Sequence, residues 1–184
     1  MNNHIDDTAL IEMISNPNTR DNGFRQLLAQ YGERLYWHIR RLVVKHDDAE
    51  DVMQETSINI YRHLDKFKGE SSLLTWMYRI ATNESLRWLQ RQAGLWKSSD
   101  AVSMELAENL ASECNIDIEN AEILFQKAIL SLPEQQRLAF NMRYYDDLPY
   151  EEISKITGKN INTLKTNYHI AAEKIRNYLK EHSI

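Results

Sequence analysis

From Phe24 onward, apolar residues return every three or four positions: Phe24, Leu27, Leu28, Tyr31, Leu35, Ile39 and Leu42. On a helix of about 3.6 residues per turn this spacing forms one buried stripe, and it predicts a long first helix starting near Gly23. The run His46-Asp47-Asp48-Ala49-Glu50 announces a second helix, with Asp47 placed to cap and Glu50 three residues later. Its stripe is Ala49, Val52, Met53, Thr56, Ile60 and Leu64. Lys66-Phe67-Lys68-Gly69-Glu70-Ser71-Ser72 breaks the period as a loop, and a third long helix runs from Leu73 to Gln92, with Gly94 ending it. From Lys97 to about Asn120 the chain is small, polar and acidic, and reads as a linker. Helical patterns follow over 121–131, 134–145, 150–157 and 161–179, separated by Pro133, by Asp146-Asp147-Leu148-Pro149 and by Gly158-Lys159-Asn160.

Only five glycines and three prolines punctuate the 184 residues. A sandwich or barrel needs a turn signal roughly every 8–12 residues, so the pattern predicts an all-α protein. It divides into an N-terminal extension (1–22), a first helical domain (23–96), an acidic linker (97–119) and a second helical domain (120–184). No apolar stretch approaches the roughly 18 residues of a membrane span, and Met1-Asn2-Asn3-His4-Ile5-Asp6-Asp7 lacks the basic start of a signal peptide. A cytoplasmic protein without membrane insertion is expected.

Charge changes the picture once it is resolved along the chain. The net value is −5, an unpromising sign for a nucleic-acid binder. Yet residues 20–97 carry +3 and residues 127–184 carry +2, while residues 1–19 carry −3 and residues 98–126 carry −7. Two mildly basic units therefore flank an acidic joint, and local sign is what a nearby polyanion senses.

Three surfaces suggest chemistry. On the last helix Leu164, Tyr168, Ala171, Ile175 and Tyr178 share a core face, and Asn162, Thr163, Lys165, Thr166, His169 and Ile170 lie opposite it near the N-terminal end. Preceded by a short helix and a turn with Gly158 and the capping residue Asn160, this is a helix-turn-helix arrangement whose polar face can meet base edges and phosphates. An αα-hairpin with a solvated face gives the same pattern. On the second helix Asp51, Gln54, Glu55, Ile58 and Arg62 fall within one arc, acidic groups around an exposed aliphatic. Such a patch suits docking on a basic protein surface, though a solvated face with one stray Ile reads alike. On the third helix Trp76, Arg79, Ile80, Asn83, Arg87, Gln90 and Arg91 interleave aromatic and cationic groups, as single-stranded nucleic acid requires, with Lys66 and Lys68 just before. Trp76 as an ordinary core residue is the alternative.

Catalytic readings find no support. The six histidines show no metal-ligand spacing, there is no Gly-rich phosphate loop or nucleophile elbow, and no cofactor or metal is expected. The single cysteine, Cys114, has no intrachain partner and sits among acidic residues that disfavour a thiolate.

Taken together, Asp48-Ala49-Glu50-Asp51-Val52-Met53-Gln54-Glu55, Phe67-Lys68-Gly69-Glu70-Ser71-Ser72-Leu73 and Thr75-Trp76-Met77-Tyr78-Arg79-Ile80-Ala81-Thr82-Asn83 resemble region 2 of the extracytoplasmic-function (ECF) sigma factors. Leu132-Pro133-Glu134-Gln135-Gln136-Arg137, and Leu148 to Ser154 through Thr163-Leu164-Lys165-Thr166, resemble region 4 of the same family. The resemblance covers nearly the whole chain apart from the N-terminus and linker. It implies a sigma factor that binds core RNA polymerase through Asp48, Asp51, Gln54, Glu55 and Ile58. It implies recognition and melting of the minus-10 promoter element, with a flipped non-template base, by Lys66, Lys68, Ser71, Ser72, Trp76, Arg79, Asn83, Arg87 and Arg91. It implies reading of the minus-35 element by Asn162, Thr163, Lys165, Thr166, Asn167 and His169. The family commonly has an anti-sigma partner, and its linker threads toward the polymerase active site. Two rival readings are a stand-alone helix-turn-helix regulator of duplex operators, which leaves the acidic and Trp/Arg faces idle, and a protein-binding helical adaptor. The sequence departs from the family where an Asp is common and Arg87 stands, at Gln90, and where Arg is common and Asn167, Ile170 and Ala172 stand. Fewer phosphate contacts follow, hence weak free-standing affinity for the minus-35 element.

Overall fold

A computed structural model describes residues 5–92 and 120–182; the linker proper, Gly94 and Cys114 lie outside them. The described residues are helical throughout: α1 (Asp7–Ser15), α2 (Arg20–Val43), α3 (His46–His63), a 3-10 turn (Leu64–Lys66), α4 (Leu73–Gln92), α5 (Asn120–Leu130), α6 (Glu134–Tyr144), α7 (Tyr150–Thr157) and α8 (Ile161–His182). They form two compact units, one reaching to Trp88 and the other starting at Leu89.

In the first unit the apolar stripes meet. Leu27, Leu35, Ile39 and Leu42 of α2 are buried with Ala49, Val52 and Ile60 of α3 and with Leu73, Met77, Tyr78 and Ala81 of α4. Several polar side chains enter this core, and one of them is paired across it. His38 Nε2 lies 2.9 Å from Thr82 Oγ1 and its ring meets Tyr78 edge-on at 4.8 Å, which fixes α4 against α2. The α2–α3 corner is tight: Val44 closes α2 with φ of 72°, a conformation a β-branched residue adopts only under surrounding constraint.

The N-terminal extension is more than a tail. Residues 7–15 form α1, capped by Asp6, whose Oδ2 accepts from the Thr8 amide at 3.0 Å. Leu10 and Ile14 are buried on its inner side. The Gln30 side chain bonds both backbone groups of Ile5, at 2.9 and 3.1 Å, and the Tyr31 hydroxyl donates to Asp7. Burial first, and then that bond, raise the Tyr31 phenol above its ordinary range. Gly23 makes the approach possible: a Cβ there would sit 2.8 Å from Ile14 Cγ1 and from Met13 Cβ.

The expected start of α3 is corrected in detail. The helix begins at His46 after Lys45, without a side-chain cap, so Asp47 and Asp48 sit in its first turn, where their charge opposes the positive helix end.

The second unit wraps α8 with α5, α6 and α7. Ala128, Ile129, Leu132, Phe140, Ala171 and Ile175 form its core, with Tyr168 and Tyr178 half-buried at the edge. Phe140 stacks on Tyr168 with ring centroids 5.6 Å apart and nearly parallel. The predicted face of α8 is therefore the core face.

Candidate nucleic-acid and polymerase interfaces

The turn between α7 and α8 shows how the sequence builds a helix-turn-helix. Gly158 takes the left-handed conformation (φ 70°) and its amide bonds the Ser154 carbonyl at 2.8 Å, ending α7. The Ser154 hydroxyl then donates to the Lys159 carbonyl at 2.7 Å, tying the turn to the helix it leaves. Asn160 starts α8, its Oδ1 accepting from the Asn162 amide at 2.8 Å. With Leu164 buried, Asn162, Thr163, Lys165, Thr166 and His169 are left exposed and Asn167 half-buried, a continuous polar face over the first turns of α8. One of these side chains is already engaged, since the Thr166 hydroxyl donates to the Asn162 carbonyl at 2.9 Å. Lys165 lies 5.8 Å from the Tyr150 ring, and burial pushes that phenol up while Arg143 opposes.

The first unit carries a different kind of surface. An open pocket of about 330 Å³ lies among α3, the 3-10 turn and α4, lined by Asn59, His63, Lys66, Trp76, Ile80, Asn83, Glu84 and Arg87. Trp76, Ile80, Asn83 and Arg87 recur three or four residues apart and so share one side of α4. Trp76 is half-buried, its indole 5.6 Å from the Phe67 ring, so it is neither a core residue nor a loose one. Lys66, Asn83 and Arg87 are exposed in the pocket lining, and Lys68, Arg79 and Arg91 are exposed outside it. Ser72, exposed at the start of α4, has a local partner. Its hydroxyl accepts from the Thr75 amide at 3.1 Å and pairs with Thr75 Oγ1 at 2.7 Å, so it caps α4. The Ser71 hydroxyl likewise donates to the Ser72 carbonyl at 3.2 Å.

On α3, Asp51, Gln54 and Glu55 are exposed, whereas Ile58 is half-buried and not the exposed aliphatic expected. Asp48, also half-buried, has its carboxyl raised above the usual range by burial, with Asp51 and Asp47 adding and Lys45 opposing.

These surfaces stand beside known proteins as follows. Sigma-70 region 2 matches residues 27–94 and Sigma-70 region 4 matches residues 122–175. The ECF RNA polymerase sigma-E factor of Escherichia coli (strain K12) is 34% identical over 187 residues, covering 96% of each chain. The chain belongs to the ECF RNA polymerase sigma factors. The sigma-E factor of Haemophilus influenzae is 29% identical, with 98% of both chains covered. Among solved structures, CnrH in complex with the cytosolic domain of CnrY superposes with a TM-score of 0.71 at 19% identity over 96% of this chain and 99% of that one. The sigma factor RpoE in complex with the anti-sigma factor NepR from Bartonella quintana gives 0.65 at 24% identity, covering 85% and 96%. Both show the same helical fold. The presence of region 2 as well as region 4 favours a sigma factor over a stand-alone helix-turn-helix regulator.

Within this sigma factor, sequence reading missed Asn59, His63 and Glu84. Asn59 and His63 are four residues apart on α3, and the Asn59 Nδ2 donates to Glu84 Oε1 of α4 at 3.1 Å. Spacing along one helix carries no sign of a partner 25 residues away. Among the described residues no group of acidic, His or Cys side chains is arranged to hold a metal ion, and no helix is long and apolar enough to cross a membrane.

Proposed function

We propose that this sigma factor joins core RNA polymerase in the cytoplasm and selects promoters for it without catalysing a reaction of its own. In this reading domain 23–96 docks through Asp48, Asp51, Gln54, Glu55 and the half-buried Ile58, with α1 bracing α2 from the other end of the unit. The acidic side chains steer the encounter with a basic surface, and the aliphatic side chain adds burial. The pocket between α3 and α4 takes a base flipped out of the minus-10 element, Trp76 offering a ring to stack on while Lys66, Lys68, Arg79 and Arg91 meet phosphates. Flipping costs a few kcal/mol, which stacking and phosphate contacts offset. The exposed face of α8 reads the minus-35 element in the major groove, and the acidic segment 97–119 serves as the tether between the two. An anti-sigma protein as a further partner is supported by the RpoE–NepR complex among its structural neighbours.

The observation that carries this reading is the pairing, in one chain, of an aromatic and cationic base-sized pocket on α4 with a polar, capped helix-turn-helix on α8. Run-off transcription tests it: core polymerase plus this protein is expected to initiate at promoters that core alone ignores, and no added initiation would overturn the reading. Asp51→Arg, at an exposed position, is expected to weaken core binding in a pull-down while leaving the thermal melt unchanged.

A further inference from the structure

Glu84 is the feature of the α4 pocket that base stacking and phosphate contacts leave unused. It is the one acidic side chain in a wall otherwise aromatic, amide and cationic, and a bare carboxylate next to a polyanion is unfavourable unless it has a task. Its side chain is only 12% exposed, although Arg87 beside it is 67% exposed. Two donors hold it, Asn59 Nδ2 from α3 at 3.1 Å and Arg87 Nη1 at 2.7 Å, and both bonds end on the same oxygen, Oε1. Oε2 receives no bond, yet unlike Thr56 Oγ1 it is not sealed away from solvent. The result is an oriented carboxylate in the pocket lining, with one oxygen occupied and one acceptor to spare.

We propose that Glu84 Oε2 is a specificity determinant for the flipped base, accepting a hydrogen bond from the exocyclic amine of cytosine or adenine; this rests on the pocket being a base pocket. The Watson–Crick edge of either base puts that amine beside a ring nitrogen acceptor, which the Asn83 amide complements as donor. Thymine can offer Oε2 only its N3–H, and that places a carbonyl oxygen on either side beside the carboxylate charge, of which the neighbouring donor can meet only one. Guanine could pair with a carboxylate through two adjacent N–H groups, but that needs both oxygens, and Oε1 is already saturated by two donors.

The test uses the holoenzyme, formed from core polymerase and the full-length protein, to select from promoter fragments randomised across the minus-10 element. Wild type is expected to enrich cytosine or adenine over thymine at one position by about tenfold or more, the usual discrimination of a good base-edge contact. Glu84→Gln, whose amide presents donors as well as an acceptor, is expected to flatten that position while the other positions keep their preferences. Three results overturn the proposal. Enrichment of thymine or guanine at the position that pocket variants affect would do so, as would an unchanged preference in Glu84→Gln. Arg87→Ala reproducing the full effect of Glu84→Gln would also do so, because Glu84 would then act only by placing Arg87. Asn83→Ala and Trp76→Ala tell these failures from the larger one: if neither alters preference or opening at any position, the pocket does not hold a base and the functional reading falls with the proposal.

Discussion

α4 and α8 are both long amphipathic helices that present polar residues outward, and they do it in contrasting ways. On α8 the polar face runs from Asn162 to His169, with Asn162, Thr163, Lys165, Thr166 and His169 exposed and Asn167 half-buried. On α4 the outward side is interrupted by Trp76 and Ile80, and α3 supplies Asn59 and His63 to close a pocket. A flat face suits bases that stay stacked in a duplex and show only their edges. A pocket suits a base that has left the stack, because it must replace the lost stacking as well as read the edge. The difference teaches that the two units are adapted to two physical states of DNA rather than to two sequences of the same state.

The comparison can be broken at several points. The largest effect is expected from Trp76→Ala, which removes the ring on which a base can stack, worth about 1–3 kcal/mol. Open-complex formation, followed by permanganate reactivity of unpaired thymines, should fall roughly tenfold or more, while protection of the minus-35 element on duplex DNA stays intact. If both fall together, the two faces are not functionally separate. Next is Gly158→Ala. Nothing lies within 4 Å of the added Cβ, so the cost is conformational, about 1–2 kcal/mol for a left-handed alanine, and a lowered melting temperature with weakened minus-35 protection should follow. Asn160→Ala removes the α8 cap for about 1 kcal/mol, with the same two readouts and a smaller shift. The finest distinction is in salt dependence. Arg79→Ala should lower the slope of log affinity against log salt by about 0.7 on single-stranded minus-10 DNA, where a phosphate contact on duplex, tested with Lys165→Ala, gives about 0.9. Equal slopes would mean that both helices meet the same form of DNA.

Much of this arrangement could be read from residue order alone, and what escaped shares a cause. The stripes of α2, α3 and α8, the left-handed Gly158 and the Asn160 cap are local patterns, each written within a turn or two of helix. The pocket is not local: it exists because α3 and α4 cross, and the Asn59–Glu84 bond across that crossing has no signature in either helix. α1 lies in the short, acidic N-terminal extension, where Asp6 as cap and Leu10 with Ile14 four residues apart are its local signs. Its docking depends on Gly23, whose missing side chain looks unremarkable in the sequence and matters only when a second helix comes within 3 Å. Ser72 shows the reverse case, a local bond that the sequence does carry. A polar residue in a loop next to cations invites a role in binding, but its position one step before a helix gave it a local partner first.

The 22-residue α8 holds a last consequence. The same rod that carries Asn162 to His169 also carries Leu164, Ala171 and Ile175 into the core, so the lettering and the binding of the book share one spine. A single inserted or deleted residue between Thr163 and Ile175 would turn everything beyond it by about 100°, exposing the core stripe or swinging the reading face away. Drift in promoter preference at this helix must therefore proceed by exchanging side chains in place. Across lineages its length should hold steady while its outward letters change.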